Sequence, residues 1–434
     1  MNGLLSAIKA FVLKSRPAYK DYLGNGKYDI KKLPEECVPD SINGKIGMAQ
    51  STANNAQSTA NKALGAVENT LPGKTWTQSD ITSGSFLAIY YADGIWVAGS
   101  QNKGLYYSTN GKTWTQSDIT SGSFLAIYYA DGIWVAGSRS KGLYYSTNGK
   151  TWTQSNLTSI IVQVLYYADG IWVAGSRNNG LYYSTNGKTW TQSDLPSGGF
   201  LALYYADGIW VAGSRNNGLY YSTNGKTWTQ SNLTSIIVPA LYYADGIWVA
   251  GSDSNGLYYS TNGKTWTQSN LTSIIVQALY YADGIWVAGS NSNGLYYSTN
   301  GKTWTQSDLT SGSFWAIYYA DGIWVAGSDS NGLYYSTNGK TWTQSDITSG
   351  SFLAIYYADG IWVAGSNSNG LYYSQSKFAF AKTVDIQIAE INQSMNQFQR
   401  VEGDVIIHSS TQDSTKKFKI TVDDTGTISA TEVT

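Results

Sequence analysis

The stretch IWVAGSRNNGLYYSTNGKTWTQS occupies residues 171–193, and the identical stretch follows at 209–231. The tryptophan of IWVA recurs eight times, always 38 residues apart, at positions 96, 134, 172, 210, 248, 286, 324 and 362. The segment TWTQS also occurs eight times, with its tryptophan running from Trp76 to Trp342. A strict period of this length is typical of a stack or ring of identical supersecondary units.

Each repeat contains four candidate strands, FLAIYYA, IWVAGS, GLYYS and KTWTQS in the first copy. They are rich in Tyr, Trp, Ile and Val, which suit a packed, pleated surface. Asp93-Gly94 separates the first two strands and Asn110-Gly111 the last two, and both dipeptides are strong hairpin signals. Four-stranded antiparallel units repeated around an axis predict a β-propeller.

The two ends of the array predict how the ring closes. The array starts at Gly73 with GKTWTQS, a fourth strand, and stops at LYYS (371–374), a third strand. The strand that contains Trp76 would therefore pair with the third strand of the last blade and close the ring non-covalently. This closure leaves no unpaired sheet edge. We predict an all-β, eight-bladed propeller of four-stranded blades over residues 73–374.

The segments on either side of the repeats predict helices that would connect the ring to other parts of an assembly. Ile42 to Val67 follow an Ala-rich heptad pattern, which is either a coiled coil or a flexible polar linker, and Val384 to Phe398 repeat the pattern with larger side chains. Such helices predict a homo-oligomer, with a trimer as our expectation, and they would leave the ring from the side of its 3–4 turns. The predicted segments are an anchoring segment at 1–40, a helical coiled coil or linker at 41–70, a coiled coil at 375–403 and a C-terminal β-hairpin tip at 404–434.

The repeats differ from one another mainly in two connections. In a propeller the 1–2 and 3–4 loops emerge on one face, here called the turn face, which carries the nearly invariant ADG and STNGK turns. The 2–3 and 4–1 loops emerge on the other. We call this the triplet face, after the variable 2–3 triplets QNK (101–103), RSK (139–141), RNN (177–179 and 215–217), DSN (253–255 and 329–331) and NSN (291–293 and 367–369).

Variation on one face is explained either by the tolerance of loops for change or by a binding surface adjusted on a constant scaffold. The second explanation predicts ligand-binding residues among the triplets and at the mouth of the channel, where Trp315 replaces Leu, Gln or Pro of other copies. Trp315 would be a stacking platform for a sugar or a plug. The candidate ligand-binding residues are Arg139, Arg177, Arg215, Lys103, Lys141, Trp315, Asn178, Asn216, Asp253 and Asp329.

Composition argues against several kinds of site. Residues 69–389 contain no Glu, His or Cys, so neither a Tyr–Glu pair nor a His/Cys metal cluster is possible there. The Asp of the ADG turns recurs in every repeat, as a turn former does, whereas an active site would be singular. The formal net charge of −1 gives no sign of nucleic-acid binding, and no apolar run reaches the length of a membrane helix. We therefore expect a non-enzymatic protein without metal or cofactor, bound to no nucleic acid and inserted in no membrane.

The segment YSTNGKTW resembles the Asp-box (BNR) motif of sialidase-like propellers, a turn that joins the third and fourth strands. Asn110 and its equivalents replace the usual Asp, and the turn is one residue shorter. The resemblance covers residues 73–374 and implies a propeller fold rather than an activity.

The flanks resemble tail-fibre and other appendage proteins of bacteriophages that infect Firmicutes. The resemblance is carried by KLPEECVPDSI (32–42), which leads into the AQSTAN heptads, and by STKKFKITVDDTGTISATEV (414–433). It implies an external virion protein docked to other virion proteins through residues 1–40, whose propeller binds a host-surface glycan or protein. A purely structural decoration protein and a weak glycan-processing enzyme are the alternatives.

Overall fold

A computed structural model of the chain describes residues 71–375 and five short strands outside this range. The chain divides into two compact units, Asn69–Ser376 and the combined flanks Met1–Glu68 and Lys377–Thr434. In the N-terminal flank, β1 (Leu23–Gly24) pairs antiparallel with β2 (Lys27–Tyr28). The next strand, β3 (Thr77–Gln78), already belongs to the ring.

Residues 71–375 form eight sheets of four strands each, in the order of the chain. The strands of blades 1 and 2 are β4 (Phe86–Ala92), β5 (Ile95–Ser100), β6 (Leu105–Ser108), β7 (Thr115–Gln116), β8 (Phe124–Ala130), β9 (Ile133–Ser138), β10 (Leu143–Ser146) and β11 (Thr153–Gln154). Those of blades 3 and 4 are β12 (Val162–Ala168), β13 (Ile171–Ser176), β14 (Leu181–Ser184), β15 (Thr191–Gln192), β16 (Phe200–Ala206), β17 (Ile209–Ser214), β18 (Leu219–Ser222) and β19 (Thr229–Gln230).

The second half of the ring repeats this pattern. Blades 5 and 6 contain β20 (Ala240–Ala244), β21 (Ile247–Gly251), β22 (Leu257–Ser260), β23 (Thr267–Gln268), β24 (Val276–Ala282), β25 (Ile285–Ser290), β26 (Leu295–Ser298) and β27 (Thr305–Gln306). Blades 7 and 8 contain β28 (Phe314–Ala320), β29 (Ile323–Ser328), β30 (Leu333–Ser336), β31 (Thr343–Gln344), β32 (Phe352–Ala358), β33 (Ile361–Ser366) and β34 (Leu371–Gln375).

The fourth strand of blade 8 comes from the start of the array. β3 pairs antiparallel with β34, with Thr77 opposite Tyr373 and Gln78 opposite Tyr372. The first strands of neighbouring blades contact one another around the ring, and β32 contacts β4. The predicted eight-bladed propeller and its non-covalent closure are therefore confirmed.

The core consists of eight clusters, each between two successive blades. One cluster joins Val97 and Leu105 of blade 1 to Phe124 and Trp134 of blade 2. Trp134 is 1% exposed, and its ring meets that of Tyr90 from blade 1 edge-on, with centroids 6.1 Å apart. Because each blade is covered on both sides, its strands are apolar on both faces rather than alternating in polarity.

The 3–4 turns are fastened by their own side chains. The Ser108 hydroxyl accepts hydrogen bonds from the Asn110 and Gly111 amides at 3.1 and 2.9 Å. The Asn110 side-chain oxygen accepts bonds from the Lys112 and Thr113 amides at 2.9 and 3.0 Å. An uncharged amide oxygen thus fills the acceptor role that a carboxylate would take in this turn.

Part of the variation in the 4–1 connections has a packing explanation. Where the sequence is Gly-x-Phe, as at Gly312 and Phe314, the phenyl ring lies against the glycine. Where it is Ile-x-Val, as at Ile236 and Val238, both side chains are buried in the same kind of cluster. The exchange of one large ring for two aliphatic side chains keeps the core filled, so it needs no ligand to explain it.

In the same connections, Asp and Asn replace one another at a position that forms a hydrogen bond to the next blade. The Asp80 carboxylate accepts a hydrogen bond from the backbone N–H of Trp114 in the next blade at 3.0 Å. Asn156 accepts from the Trp190 N–H at 2.8 Å and also donates to the Trp190 carbonyl at 3.0 Å. Both residue types hold the fourth strand of the following blade.

In the flanks, β36 (Lys417–Val422) lies between β35 (Ile406–His408) and β37 (Ile428–Val433) in an antiparallel sheet. The predicted anchoring segment, apart from β1 and β2, and both predicted coiled coils lie outside the described residues. Among the residues that are described, no helix has the length and apolar character of a membrane span.

Candidate functional site

The structure places the variable triplets and the constant turns on opposite faces of the ring. On the turn face, Asp131 of one blade and Lys188 of the next line a common shallow cleft. On the triplet face, Lys103 of the first triplet forms a β-bridge with Gly122 in the following 4–1 connection. The assignment of faces that the sequence predicts is thus confirmed.

The backbone of each triplet is held by constant residues. The buried Ser100 hydroxyl, which ends β5, accepts hydrogen bonds from the Asn102 and Lys103 amides at 3.3 and 3.0 Å. The Gln116 side chain donates to the Lys103 carbonyl at 2.8 Å. Gly104, with φ of +76°, follows the triplet, and a Cβ there would stand 1.8 Å from the Ile119 carbonyl oxygen. Side chains can therefore change while the backbone that presents them is largely kept; among the triplets only Ser292 of blade 6 has a positive φ, of 93°.

On blades 6, 7 and 8 the first triplet side chain is bonded to the next blade. The hydroxyls of Ser313, Ser351 and Ser85 donate to Asn291, Asp329 and Asn367 at 2.9, 3.0 and 2.8 Å. On blade 5 the Gln277 amide donates to Asp253 at 2.8 Å. Two of the predicted binding residues, Asp253 and Asp329, therefore have internal partners.

On blades 2, 3 and 4 the same position holds an arginine, and the residue 22 positions later has no polar side chain. Gln163 follows Arg139 at the distance at which Gln277 follows Asp253, but its buried Oε1 has no hydrogen-bond partner among the described residues. The serine 22 residues later is replaced by Ile161, Gly199 and Ile237 after Arg139, Arg177 and Arg215, respectively. Arg139 is exposed, whereas Arg177 and Arg215 are half-buried. Within residues 71–375 none of the three guanidinium groups has a hydrogen bond or an ion pair, so all three are available to a ligand.

The second triplet position shows the same division of the ring. Ser254, Ser292, Ser330 and Ser368 on blades 5 to 8 donate to the asparagine that follows each of them, at 2.9 to 3.3 Å. Asn178 and Asn216 on blades 3 and 4 are exposed, and their amide side chains have no hydrogen bond to any described residue. Polar groups are therefore satisfied internally on one half of the triplet face and left open on the other.

The two predicted lysines lie at the edge of the open half. The Lys103 ammonium donates to the Ser83 hydroxyl at 3.3 Å, and that of Lys141 donates to Ser121 at 3.2 Å. Because these single bonds leave most of the donor capacity of each ammonium unused, both lysines add positive charge next to the three arginines.

Trp315 lies apart from the arginines. It sits in β28 where the pairing with β29 shifts register, and it is 38% exposed, the one large apolar side chain so exposed among the described residues. Blade 7, which carries it, is four blades away from blade 3 and hence opposite Arg177. The structure puts Arg139, Arg177, Arg215, Lys103, Lys141, Asn178 and Asn216 on the successive blades 1 to 4. Asp253 lies on the adjoining blade 5 but is bonded to Gln277, whereas Trp315 and Asp329 lie on blade 7.

The repeats contain a sequence pattern that accompanies this division, and comparison of the variable positions one by one does not reveal it. Each triplet has a partner position 22 residues later, and the two change together, from Asn or Asp with Ser to Arg with Ile or Gly. There are two exceptions. Asp253 faces Ile275 and accepts a hydrogen bond from Gln277 instead, and Gln101 is followed by Ser123, whose buried hydroxyl has no hydrogen-bond partner in the part of the chain that the structure describes. Only knowledge of which residues touch across blades identifies that pairing.

A ring of eight tyrosines, also missed, surrounds the axis. The first tyrosine of each YYA segment stacks against its two neighbours, with centroids 5.1 to 5.4 Å apart from Tyr90 round to Tyr356. Burial raises the pKa of these hydroxyls, Tyr90 among them. The second tyrosine reaches the Asp of the preceding ADG turn, as Tyr319 does to Asp283 at 2.6 Å.

These tyrosines predict alkaline unfolding. The hydrogen bond to the preceding Asp raises the pKa of Tyr91, Tyr281 and Tyr319 to about 12, from an ordinary 10.0. The unfolded chain therefore releases these protons first, and stability present below pH 10 is lost as the pH rises towards 12. The ionisation of these tyrosines, followed by phenolate absorbance, should coincide with the loss of the circular dichroism signal of the fold. Ionisation of these tyrosines near pH 10 with the fold intact would contradict this prediction.

Comparisons with known proteins support the fold. No family model matches the chain, and no curated protein matches it significantly. The computationally designed protein Ika8 has a TM-score of 0.58 at 14% identity, covering 69% of this chain and 98% of its own.

Two natural proteins give similar values. Sqt1 from Saccharomyces cerevisiae has a TM-score of 0.55 at 10% identity, covering 70% of this chain and 99% of its own. BamB from Moraxella catarrhalis has a TM-score of 0.53 at 10% identity, covering 69% of this chain and 100% of its own. These likenesses concern the fold alone, and by fold the chain is an eight-bladed β-propeller of four-stranded blades.

Proposed function

We propose that the chain is a non-enzymatic receptor-binding protein of a bacteriophage virion, whose propeller binds a glycan of the host surface through the triplet face. The observation that carries the proposal is the division of this face. Blades 5 to 8 satisfy their triplet side chains internally, whereas blades 2 to 4 leave three guanidinium groups and two amides open. A surface kept only for solubility or spacing gives no reason for this contrast.

The ends of the ring are consistent with mounting through the turn face. The Gly73 amide donates to the Ser374 hydroxyl at 2.8 Å, so the first and last strands begin and end side by side. Gly73 packs against Ile323 and Val325 of blade 7 as Gly111, in a 3–4 turn, packs against Ile361 and Val363 of blade 8. Both ends of the ring therefore lie on the turn face.

The virion location rests on the resemblance of the flanks. In this proposal residues 1–40 dock to other virion proteins, and the heptads of 41–70 and 375–403 assemble a homotrimer with three propellers. Three copies would strengthen a weak contact with a repeated surface polymer through avidity. The 3–4 turns resemble the BNR (Asp-box) motif, and this resemblance supports a structural role for the turns rather than a catalytic one.

The test compares two groups of substitutions in the full chain. Changing Arg139, Arg177 and Arg215 together to Ala should reduce binding to host cells and to arrayed surface glycans at least tenfold, since charged hydrogen bonds contribute about 1.5–3 kcal/mol each. The matched control changes Lys150, Lys188 and Lys226 on the turn face to Ala and should leave binding unaltered. Equal binding by both variants would refute the proposal.

The same assay separates the alternatives. A structural decoration protein would show no saturable binding to any glycan or cell preparation. A glycan-processing enzyme would shorten or release sugars during prolonged incubation, which we do not expect because residues 69–389 lack Glu and His.

A further inference from the structure

The open half of the triplet face carries a local charge that the net charge of the chain conceals. Its cationic groups are Arg139, Arg177, Arg215, Lys103 and Lys141, although the whole chain has a formal net charge of −1. The adjoining 4–1 connections carry three carboxylates, Asp80, Asp118 and Asp194, which accept the backbone N–H groups of Trp114, Trp152 and Trp228 at 3.0, 3.1 and 3.0 Å. Cationic groups therefore outnumber carboxylates on blades 1 to 4, and we call this half of the triplet face the basic arc.

The arginines form a row rather than a cluster. They occupy the same position of three successive blades, and each triplet is fixed by its buried serine, Ser138, Ser176 or Ser214. The triplets lie between the second and third strands, outside the tyrosine ring. Because sheets packed face to face are about 10 Å apart, consecutive arginines are separated by a distance on the order of 10 Å. One small anion cannot reach all three, whereas an extended chain with repeated anionic groups can.

The groups beside the arginines suit a sugar polymer. A guanidinium group binds a carboxylate or another planar oxyanion through two parallel hydrogen bonds. The open amides of Asn178 and Asn216 can donate to and accept from hydroxyl groups. A single-stranded nucleic acid would need aromatic stacking platforms beside the arginines, but the exposed Trp315 is on the opposite side of the ring.

We infer that the arc on blades 1 to 4 binds a linear acidic polysaccharide, whose carboxylate groups engage Arg139, Arg177 and Arg215 in turn while its hydroxyls engage Asn178 and Asn216. The inference rests on the proposed function and specifies its ligand class. It also gives a physical reason for Ile161, Gly199 and Ile237, which leave the arginines without an internal partner.

The charge of the polymer is tested first, with the full chain and two forms of one backbone. Polygalacturonate should bind, and its fully methyl-esterified form should not, because esterification removes the negative charge and keeps the sugar. Affinity for polygalacturonate should fall with rising salt. Equal binding of both forms would overturn the inference, as would equal affinity for a DNA duplex.

The arginines are tested with two triple variants of equal charge change. R139Q/R177Q/R215Q should lower the affinity for polygalacturonate at least tenfold, because each Gln keeps polar contacts but not the charge. K150Q/K188Q/K226Q changes the turn face of the same blades and should stay within about twofold of the wild type, since surface charges act weakly at a distance. Similar losses in both variants would overturn the inference.

A gain-of-function variant completes the test. Asp253 already faces Ile275, an apolar partner position like those of the arginine blades, so D253R should extend the row to a fourth blade and tighten binding several-fold. Unchanged affinity would contradict binding of the polysaccharide along a row of arginines. If the wild type binds no polygalacturonate but still binds cells through the triplet face, only the ligand class is wrong; loss of both refutes the proposed function as well.

Discussion

Replacing Trp210 with alanine is expected to destabilise the propeller by about 3–5 kcal/mol, the usual range for a large aromatic side chain removed from a core. Trp210 is 1% exposed and lies between two blades. Its ring meets Tyr166 of the preceding blade at 6.0 Å and Tyr205 of its own blade at 5.1 Å. The substitution leaves a cavity at a contact that holds blade 4 to blade 3.

Trp315→Ala is the matched control for this prediction. Trp315 is 38% exposed, so its removal should change the free energy of unfolding by no more than about 0.5 kcal/mol. Urea unfolding and calorimetric melting of both variants measure the difference. Comparable destabilisation by the two substitutions would mean that the tryptophans of IWVA do not carry the inter-blade core.

Gly142→Ala is expected to destabilise the protein by more than about 3 kcal/mol, although it adds one methyl group. Gly142 follows the triplet of blade 2 with φ of +69°, and its added Cβ would stand 1.8 Å from the Leu157 carbonyl oxygen. The displacement would break the bonds from the Gly142 amide to the Ile160 carbonyl and from the Leu143 amide to the Leu157 carbonyl, now 3.0 and 2.9 Å. Two loops of the triplet face would separate.

The control for this variant is Gly132→Ala on the turn face. Gly132 has nearly the same φ, +72°, but its added Cβ would meet nothing within 4 Å. The left-handed backbone alone costs about 1–2 kcal/mol, so the difference between the two variants measures the steric conflict. Equal effects in chemical unfolding would show that the 2–3 and 4–1 loops can move apart without loss, and that the triplets are not rigidly presented.

A change in triplet presentation has a consequence for binding. If Gly142→Ala folds, the displaced loops would shift Arg139 and Lys141 relative to the arginines of blades 3 and 4. Binding to the ligand of the triplet face should then weaken although the substitution changes no charge, because the row of arginines depends on fixed spacing. Gly132→Ala should bind as the wild type does.

Much of the architecture could be predicted because it depends on local and repeated features. The 38-residue period sets the number of blades, Asp-Gly and Asn-Gly set the hairpins, and the incomplete ends at Gly73 and Ser374 set the closure. The division into two faces follows from the order of strands alone. The predicted coiled coils at 41–70 and 375–403 and the anchoring role of 1–40 remain predictions.

The candidate site could be predicted only in part. The sequence identified the triplets and Trp315 as positions that differ, but it put ten residues into one group. The structure separates Asp253 and Asp329, which are bonded to Gln277 and Ser351, from the arginines, which have no such partner. It also assigns much of the variation in the 4–1 connections to core packing and to links between blades.

The fold follows from the sequence, because strand composition, turn chemistry and repeat length act within one blade and are copied eight times. Which variable side chains are open to a ligand depends instead on contacts between blades. Whether a polar group is satisfied depends on what the neighbouring blade places against it, here 22 residues further along the chain. The Ser313 hydroxyl donates a hydrogen bond to Asn291, whereas Ile237 at the equivalent position has no polar group for Arg215, and this difference between blades defines the site.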